Sequence, residues 1–369
     1  MTISYYAGKQ LHGLSTDNVP NNLQEGSTLL QTDTAKLEFI KGGWKELGRT
    51  TLGADTDTIT VSSLTDKRYF MVLANGLPNG NIGGALRLNG DTGANYSFRE
   101  STNGAGDLTE INQTYSASII NGDGAEQNFA VGYLANYTTK EKLNIFHAVR
   151  QNTAGAGNAP TRREGVGKHA QTSNPISSIS FVNFGTGDYT SGSEVVVLGY
   201  DPTDTHTNNF WEEIGTDIGD GVSTDITVSF TAKKYLWIQA YLIGSSSVNQ
   251  TFRLGSSGTP DSGANYANRL STNGGADSTT GSLDNLLGTW NEATERQFWN
   301  IFIINNSANE KLVIMHRVVQ STAGAGTAPS RSEFVAKWAN TSAQANIFEV
   351  LRPSGNWSTK SVVKVWGSN

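Results

Sequence analysis

The residues in this chain best suited to chemistry come in pairs. His147 and His316 lie in the similar stretches Leu143-Asn-Ile-Phe-His-Ala-Val149 and Leu312-Val-Ile-Met-His-Arg-Val318. A histidine base needs a nucleophile and an orienting partner within hydrogen-bond reach, and no recognisable set accompanies either one. In a strand, Leu143, Ile145, His147 and Val149 share one face, so a structural histidine is the favoured reading. Thr153-Ala-Gly-Ala-Gly157 and Thr322-Ala-Gly-Ala-Gly326 are rich enough in glycine to suggest a phosphate cradle. A P-loop continues with Gly-Lys-Ser/Thr into a helix, whereas Ala159-Pro160 and Ala328-Pro329 follow here. A tight crossover loop accounts for them better, with glycine supplying left-handed positions. Asp91, Asn95 and Asp107, with Asp261, Asn265 and Asp277, are hard oxygen ligands of the kind calcium takes. The EF-hand pattern is absent, and Asp and Asn in turns ordinarily cap their own backbone. Arg162 with Glu164, and Arg331 with Glu333, lie two apart on one strand face and suit ion pairing across a sheet. Arg99 and Arg269 suit a role in holding the Asp-rich loop. No pair of carboxylates is singled out for glycoside hydrolysis, in which the fold and not the spacing sets the geometry. The chain is therefore read as non-enzymatic, with no catalytic residue, cofactor or metal assigned.

These pairs belong to a repeat. Asp91-Thr-Gly-Ala-Asn-Tyr-Ser-Phe-Arg-Glu-Ser-Thr-Asn-Gly-Ala-Gly-Asp107 returns as Asp261-Ser-Gly-Ala-Asn-Tyr-Ala-Asn-Arg-Leu-Ser-Thr-Asn-Gly-Gly-Ala-Asp277, without a gap, at 261 − 91 = 170. Glu141-Lys-Leu143 and Glu310-Lys-Leu312 follow in the same order, as do the glycine-rich loops. His169 is replaced by Trp338, an exchange that suits stacking better than ligation. Around these blocks, short β-branched and aromatic runs alternate with turn residues, as in Asp57-Thr-Ile-Thr-Val61 and Asp225-Ile-Thr-Val228. Phe129 to Asn136 and Phe298 to Asn305 each lead through a polar link into the next apolar run. They read as hairpins of long inner strands, apolar on both faces. The stretches Leu108 to Asp123 and Ser278 to Asn291 differ most between the copies, and a strand or one helical turn suits them equally. Helical periodicity is nowhere sustained, and heptads are missing.

The expected fold is all-β: two tandem jelly-roll-like β-sandwich repeats preceded by a small β strand and hairpin segment. The boundaries are 1–47 for the front segment, 48–199 for the first repeat, 200–210 for a linker and 211–369 for the second repeat. In the front segment, Gln31-Thr-Asp-Thr34 reads as a turn, and Leu37 to Trp44 as a hairpin with Gly42-Gly43 at its tip. Composition agrees with many exposed short strands, since charged residues are 16% and apolar ones 36% of 369, with 41 glycines. Cysteine is absent, which removes disulfides, thiolate metal sites and thiol nucleophiles. A net charge of −6 argues against nucleic acid and anionic membranes as partners. No run reaches the roughly 18 apolar residues of a membrane span. The stretch Met1 to Lys9 lacks a basic region followed by an apolar one, so synthesis without a secretory signal is expected.

The motifs Gly-Ala-Asn-Tyr-x-x-Arg, Ser-Thr-Asn-Gly, Glu-Lys-Leu-x-Ile, Ala-Gly-Ala-Gly-x-Ala-Pro-x-Arg-x-Glu and Lys-His/Trp-Ala-x-Thr-Ser occur in both copies. Together with Gly-Ser-Glu-Val-Val-Val-Leu-Gly199 they resemble modules of tailed-bacteriophage virion structural proteins, marine phages especially. The front segment, from Val19-Pro through Thr32-Asp-Thr34 to Trp44, resembles a short module of phage particle proteins. The second copy departs from the pattern at Trp338 and at Lys364, which breaks the Val-Val-Val run. The resemblance implies a virion-surface protein made in the host cytoplasm, either a capsid decoration or head-fibre protein or a short tail-fibre component. Its partners would be other capsid or tail proteins and further copies of itself, with a trimer expected. Leu37, Phe39 and Trp44 mark the expected attachment surface. A second reading is a carbohydrate-binding adhesin that contacts a host-surface glycan. Trp211, Trp290, Trp299, Trp338, Trp357 and Trp366 fall in the second repeat, and Trp290, Trp299, Trp338 and Trp357 are its candidate contacts, because a sugar face stacks on exposed aromatic rings.

Overall fold

A computed structural model describes residues 4–6, 10–14, 16, 27–39, 43–122, 124–202, 204, 208–288, 291–292 and 295–369. Among them every regular element is a strand. The front segment holds β1 (Ser4–Tyr6), β2 (Gln10–Gly13), β3 (Thr28–Gln31) and β4 (Lys36–Phe39), paired in that order, with β2 and β3 parallel. The turn expected at Gln31 to Thr34 joins β3 to β4. Residues 40–42, which include one glycine of the hairpin tip expected at Gly42-Gly43, lie outside the described residues, and no pairing of β4 with the following strand is seen among the described ones. β4 pairs with β3 instead, and the strand that starts at Lys45 belongs to the first repeat, inside the boundary expected at 47.

The first repeat runs through β5 (Lys45–Thr51), β6 (Thr58–Val61), β7 (Tyr69–Gly76), β8 (Ile82–Leu88), β9 (Tyr96–Thr102) and β10 (Leu108–Gln113). It continues with β11 (Ser118–Gly122), β12 (Asn128–Ala135), β13 (Lys142–Arg150), β14 (Thr161–His169), β15 (Ile179–Val182) and β16 (Glu194–Tyr200). These strands form an eight-stranded sheet, β10-β9-β14-β13-β12-β7-β16-β5, and a four-stranded sheet, β11-β8-β15-β6. The second repeat comprises β17 (Glu212–Ile218), β18 (Asp225–Ser229), β19 (Tyr235–Leu242), β20 (Val248–Asn249), β21 (Thr251–Ser256), β22 (Thr259–Pro260) and β23 (Tyr266–Thr272). After them come β24 (Ser278–Leu283), β25 (Asn291–Glu292), β26 (Gln297–Ile304), β27 (Lys311–Val319), β28 (Ser330–Trp338), β29 (Ile347–Leu351) and β30 (Val362–Ser368). Its large sheet, β17-β30-β19-β26-β27-β28-β23-β24, repeats the first strand for strand. The small sheet is β18-β29-β21-β22, while β20 pairs with β25 separately. Among their described residues, the two stretches that differ most thus hold strands and no helical turn.

Period-two patterning separates two kinds of core. Within each repeat, the large and small sheets enclose alternate residues of their strands, such as Phe70, Val72, Leu86 and Phe181 in the first and Ile238, Phe252, Trp299 and Phe348 in the second. The opposite face of each large sheet is apolar too, and there the repeats meet. Met71, Leu73, Phe129, Val131, Val149, Val196 and Leu198 of the first repeat pack on Phe210, Trp211, Tyr235, Phe302, Ile304, Leu312, Ile314 and Val335. The β12–β13 and β26–β27 hairpins are apolar on both faces, one filling a sandwich and the other entering the joint, which the first hairpin does through Phe129, Val131 and Val149.

Candidate functional site: the joint between the repeats and the face beside it

The best-repeated block is scaffold. Asp91 accepts hydrogen bonds from Gly93 N at 2.8 Å and Asn95 Nδ2 at 2.8 Å, and it lies 2.7 Å from His169 Nε2. Burial pushes the Asp91 carboxyl up, but the bonds from His169, Asn95 and Gly93 outweigh it and hold the group below its ordinary value. In the second copy Asp261 binds Gly263 and Asn265 in the same way, and Trp338 Nε1 donates to it at 2.7 Å. Histidine and tryptophan thus supply the same ring N–H to the same carboxylate, each stacked on the motif tyrosine, Tyr96 or Tyr266. Arg99 pairs with Asp107 at 3.5 Å and Arg269 with Asp277 at 3.9 Å, so the Asp-rich loops are held by arginine. The candidate calcium ligands are spent on these bonds. Among the described residues no group of three or more His, Asp or Glu is placed to hold a metal.

The remaining repeated polar residues meet at the joint. The His147 and His316 rings lie 4.2 Å apart. Burial, with Arg162 nearby, lowers His147 to about 4, and burial with His147 lowers His316 to about 3. Arg162 pairs with Glu164 at 2.7 Å, and it reaches across the joint to Asp277 at 2.7 Å and Glu333 at 3.0 Å. Arg162 and Glu164, like Arg331 and Glu333, pair with each other along one strand, where pairing with charges across the sheet was expected, and Arg162 adds an inter-repeat network that the spacing did not indicate. Glu194 of β16 accepts Tyr235 Oη at 2.7 Å and pairs with Lys234 at 2.9 Å.

The glycine-rich loop of the first repeat is also a joint element. Gly155 N donates to Glu310 Oε1 at 2.5 Å, Thr153 O accepts from Lys337 Nζ at 2.5 Å, and Pro160 O accepts from Arg269 Nε at 2.9 Å. The second repeat's loop, Thr322 to Gly326, is exposed. The joint is therefore not symmetric. The first repeat uses the 129-to-131 and 149-to-162 ends of its hairpins, and the second uses the 302-to-314 and 335-to-337 ends. On the first repeat the counterparts of the latter are uncovered, with Leu143 55%, Ile145 51% and Val166 47% exposed. Tyr69 and Ile111 extend this apolar face.

Several expected contact residues lie elsewhere. Trp299, Trp338 and Trp357 are core residues of the second sandwich, 0%, 1% and 0% exposed, which corrects their assignment as stacking platforms for a sugar. Their neighbours on both sheets are large and apolar, so burial is the cheaper use of the ring. Trp290 lies outside the described residues. Leu37 and Phe39 fall on β4, and their side chains also lie outside the described set. Trp44 is half-buried at the rim of the joint, its ring 5.6 Å from that of Tyr200. Trp237, not singled out from sequence, stacks on Phe302 at 5.8 Å and neighbours Trp366 at 5.2 Å. The tell-tale would have been apolar residues on strand positions that already had an apolar opposite face.

No family model and no curated protein matches the chain. Among solved structures, the outer membrane protein opdK of Pseudomonas aeruginosa is 10% identical over 81% of this chain and 97% of its own, with a TM-score of 0.13. OccAB3 of Acinetobacter baumannii is 9% identical over 81% and 99%, with a TM-score of 0.11. Similarity at that level carries no argument about fold or function. Among the described residues no helix is long and apolar enough to cross a membrane.

Proposed function

We propose that the chain is a non-enzymatic structural protein of a tailed-phage virion surface, a capsid decoration, head-fibre or short tail-fibre component that acts by assembly with capsid or tail proteins. The observation that carries this reading is the division of labour among its residues. Repeated polar groups are spent on corners and on the joint, while the first repeat presents an apolar face centred on Leu143, Ile145 and Val166. An exposed apolar patch rimmed by charge marks a protein interaction surface more readily than a reaction site. The phage-module motifs lie on strands and loops of both sandwiches, in keeping with the resemblance.

The finer fold is read as two jelly-roll-like modules. In the first repeat the chain passes repeatedly between the sheets, and β11-β8-β15-β6 lies over the large sheet with β11 against β12 and β13 and β6 against β16 and β5. Two packed sheets linked by such crossings suit a jelly-roll-like sandwich with an enlarged outer sheet. Among the described residues of the second repeat, the glycan-binding alternative keeps half-buried Trp237 and Trp366 as platforms, and both are engaged with Phe302 or each other. Mass spectrometry of gradient-purified particles tests the assignment. The chain should co-purify in a fixed ratio to the capsid protein, and its restriction to the soluble lysate would refute a virion role.

A further inference from the structure

We propose that the uncovered face of the first repeat is the docking site for the second repeat of another copy of this chain, so that copies join head to tail through a second version of the intramolecular joint. The inference extends the assembly role proposed above, yet its test needs no particle, so either can fail alone.

Most polar elements of the joint have an exposed counterpart. On the receiving side, Glu310 and Lys337 lie 3.4 Å apart beneath the Thr153–Gly157 loop. Their equivalents Glu141 and Lys168 also lie 3.4 Å apart, but are 44% and 49% exposed. Arg269 and Asp277 receive Pro160 and Arg162 in the joint, whereas Arg99 and Asp107 are 56% and 47% exposed. On the inserting side, Thr322-Ala-Gly-Ala-Gly326 repeats the seated loop residue for residue, and Arg331, the equivalent of Arg162, is 62% exposed. The apolar floor matches as well, since Leu143, Ile145 and Val166 correspond to Leu312, Ile314 and Val335, all buried in the joint. The open face continues into the existing joint through Tyr133 and Trp44, which pack against its core.

A contact in which one end of a unit receives the other end of the next is heterologous, and it closes into a ring when the rotation allows. A trimer would then hold six modules around one ring. The intermolecular version is the weaker. Gln239, Asn300 and Lys364 replace Leu73, Val131 and Val196 on the inserting face, and Val362 stands where Glu194 does. A Cβ at Gly281 would lie 2.6 Å from Gly157 O, yet its equivalent in the first repeat is Ile111, so the incoming loop must seat higher there. An interface of this mixed character suits reversible association.

Light scattering on the full chain across the micromolar range is the test. The wild type should associate with increasing concentration into a closed species of fixed mass. Arg331→Glu and Val166→Asp should each shift it to monomer without altering thermal unfolding, because both sites are exposed. Ile111→Gly should tighten association about ten-fold by letting the loop seat, the equivalent of ~1.4 kcal/mol. Monomer at every concentration for wild type and Ile111→Gly alike overturns the proposal. An oligomer that survives both Arg331→Glu and Val166→Asp overturns it equally, since it is held by another surface.

Discussion

At the residue scale, the paired histidines make the joint sensitive to acid. Burial holds His147 at about 4 and His316 at about 3, below the ordinary 6.5, so both are neutral in the folded protein near neutral pH. The unfolded chain takes up protons first as pH falls, so stability is fully present above about pH 6.5 and is lost towards pH 4. Arg162 faces the same pair and adds to the penalty, whereas Glu164 works the other way. Burial, with Glu333 close by, raises the Glu164 carboxyl in spite of Arg162, so its protonation recovers part of the loss at low pH. Replacing both histidines by glutamine should leave the charged network and flatten the acid limb. Circular-dichroism melts between about pH 7 and pH 4 should show a smaller drop in Tm for the double variant. Parallel pH profiles would show that the acid sensitivity resides elsewhere. His169 shows why residue type misleads when read alone, because Trp338 performs its task with an indole N–H on Asp261.

At the element scale, the last strand of each repeat carries a glycine one residue before its end because another side chain occupies the place of a Cβ. At Gly367 a Cβ would lie 2.6 Å from Ile214 Cδ1, and at Gly199 it would collide with Leu47. Both glycines sit beside a register shift in the edge strand, between Val197 and Leu198 against β5, and between Glu213 and Gly215 against β30. Glycine inside a strand marks such close approaches. Gly199→Val should therefore cost about 1–3 kcal/mol by overpacking, read as a lower midpoint in urea unfolding, whereas Gly157→Ala, at a site open to solvent, should be near neutral. An unchanged midpoint for Gly199→Val would mean that β5 is looser than its packing indicates. Strands and sandwiches were legible because alternation and turn chemistry are local, and the repeat exposed equivalent elements directly. That Arg162 and Glu164 share one strand face was legible for the same reason, but not that they pair with each other. The joint was not, since Met71, Leu73, Phe129 and Val131 read as generic inner-strand residues until a second sheet is seen against them. Trp299 and Trp357 were misassigned because a tryptophan carries no mark of which face of its strand is buried.

At the scale of the whole molecule, the repeats stack large sheet on large sheet between two small ones, and the ion-pair network at the joint couples their stabilities. Arg162 is the central cation, with its side chain 6% exposed and Asp277 beside it 2% exposed. Removing one partner of a buried pair strands the other, at about 3–5 kcal/mol. Arg331, the same residue type at the equivalent repeat position, is 62% exposed and pairs with Glu333 at the surface, where a contact contributes about 0–1 kcal/mol. Arg162→Leu should therefore destabilise strongly and split calorimetric unfolding into two transitions as the repeats uncouple. Arg331→Leu, at dilution low enough to suppress association, should retain one transition within a few degrees of the wild type. The comparison holds residue type, strand position and neighbouring sequence nearly constant and varies only what the other repeat does, so it isolates the joint. Equal effects at both positions would place the coupling in the apolar floor of Leu73, Phe129, Phe302 and Ile314, with the ion pairs setting only the register.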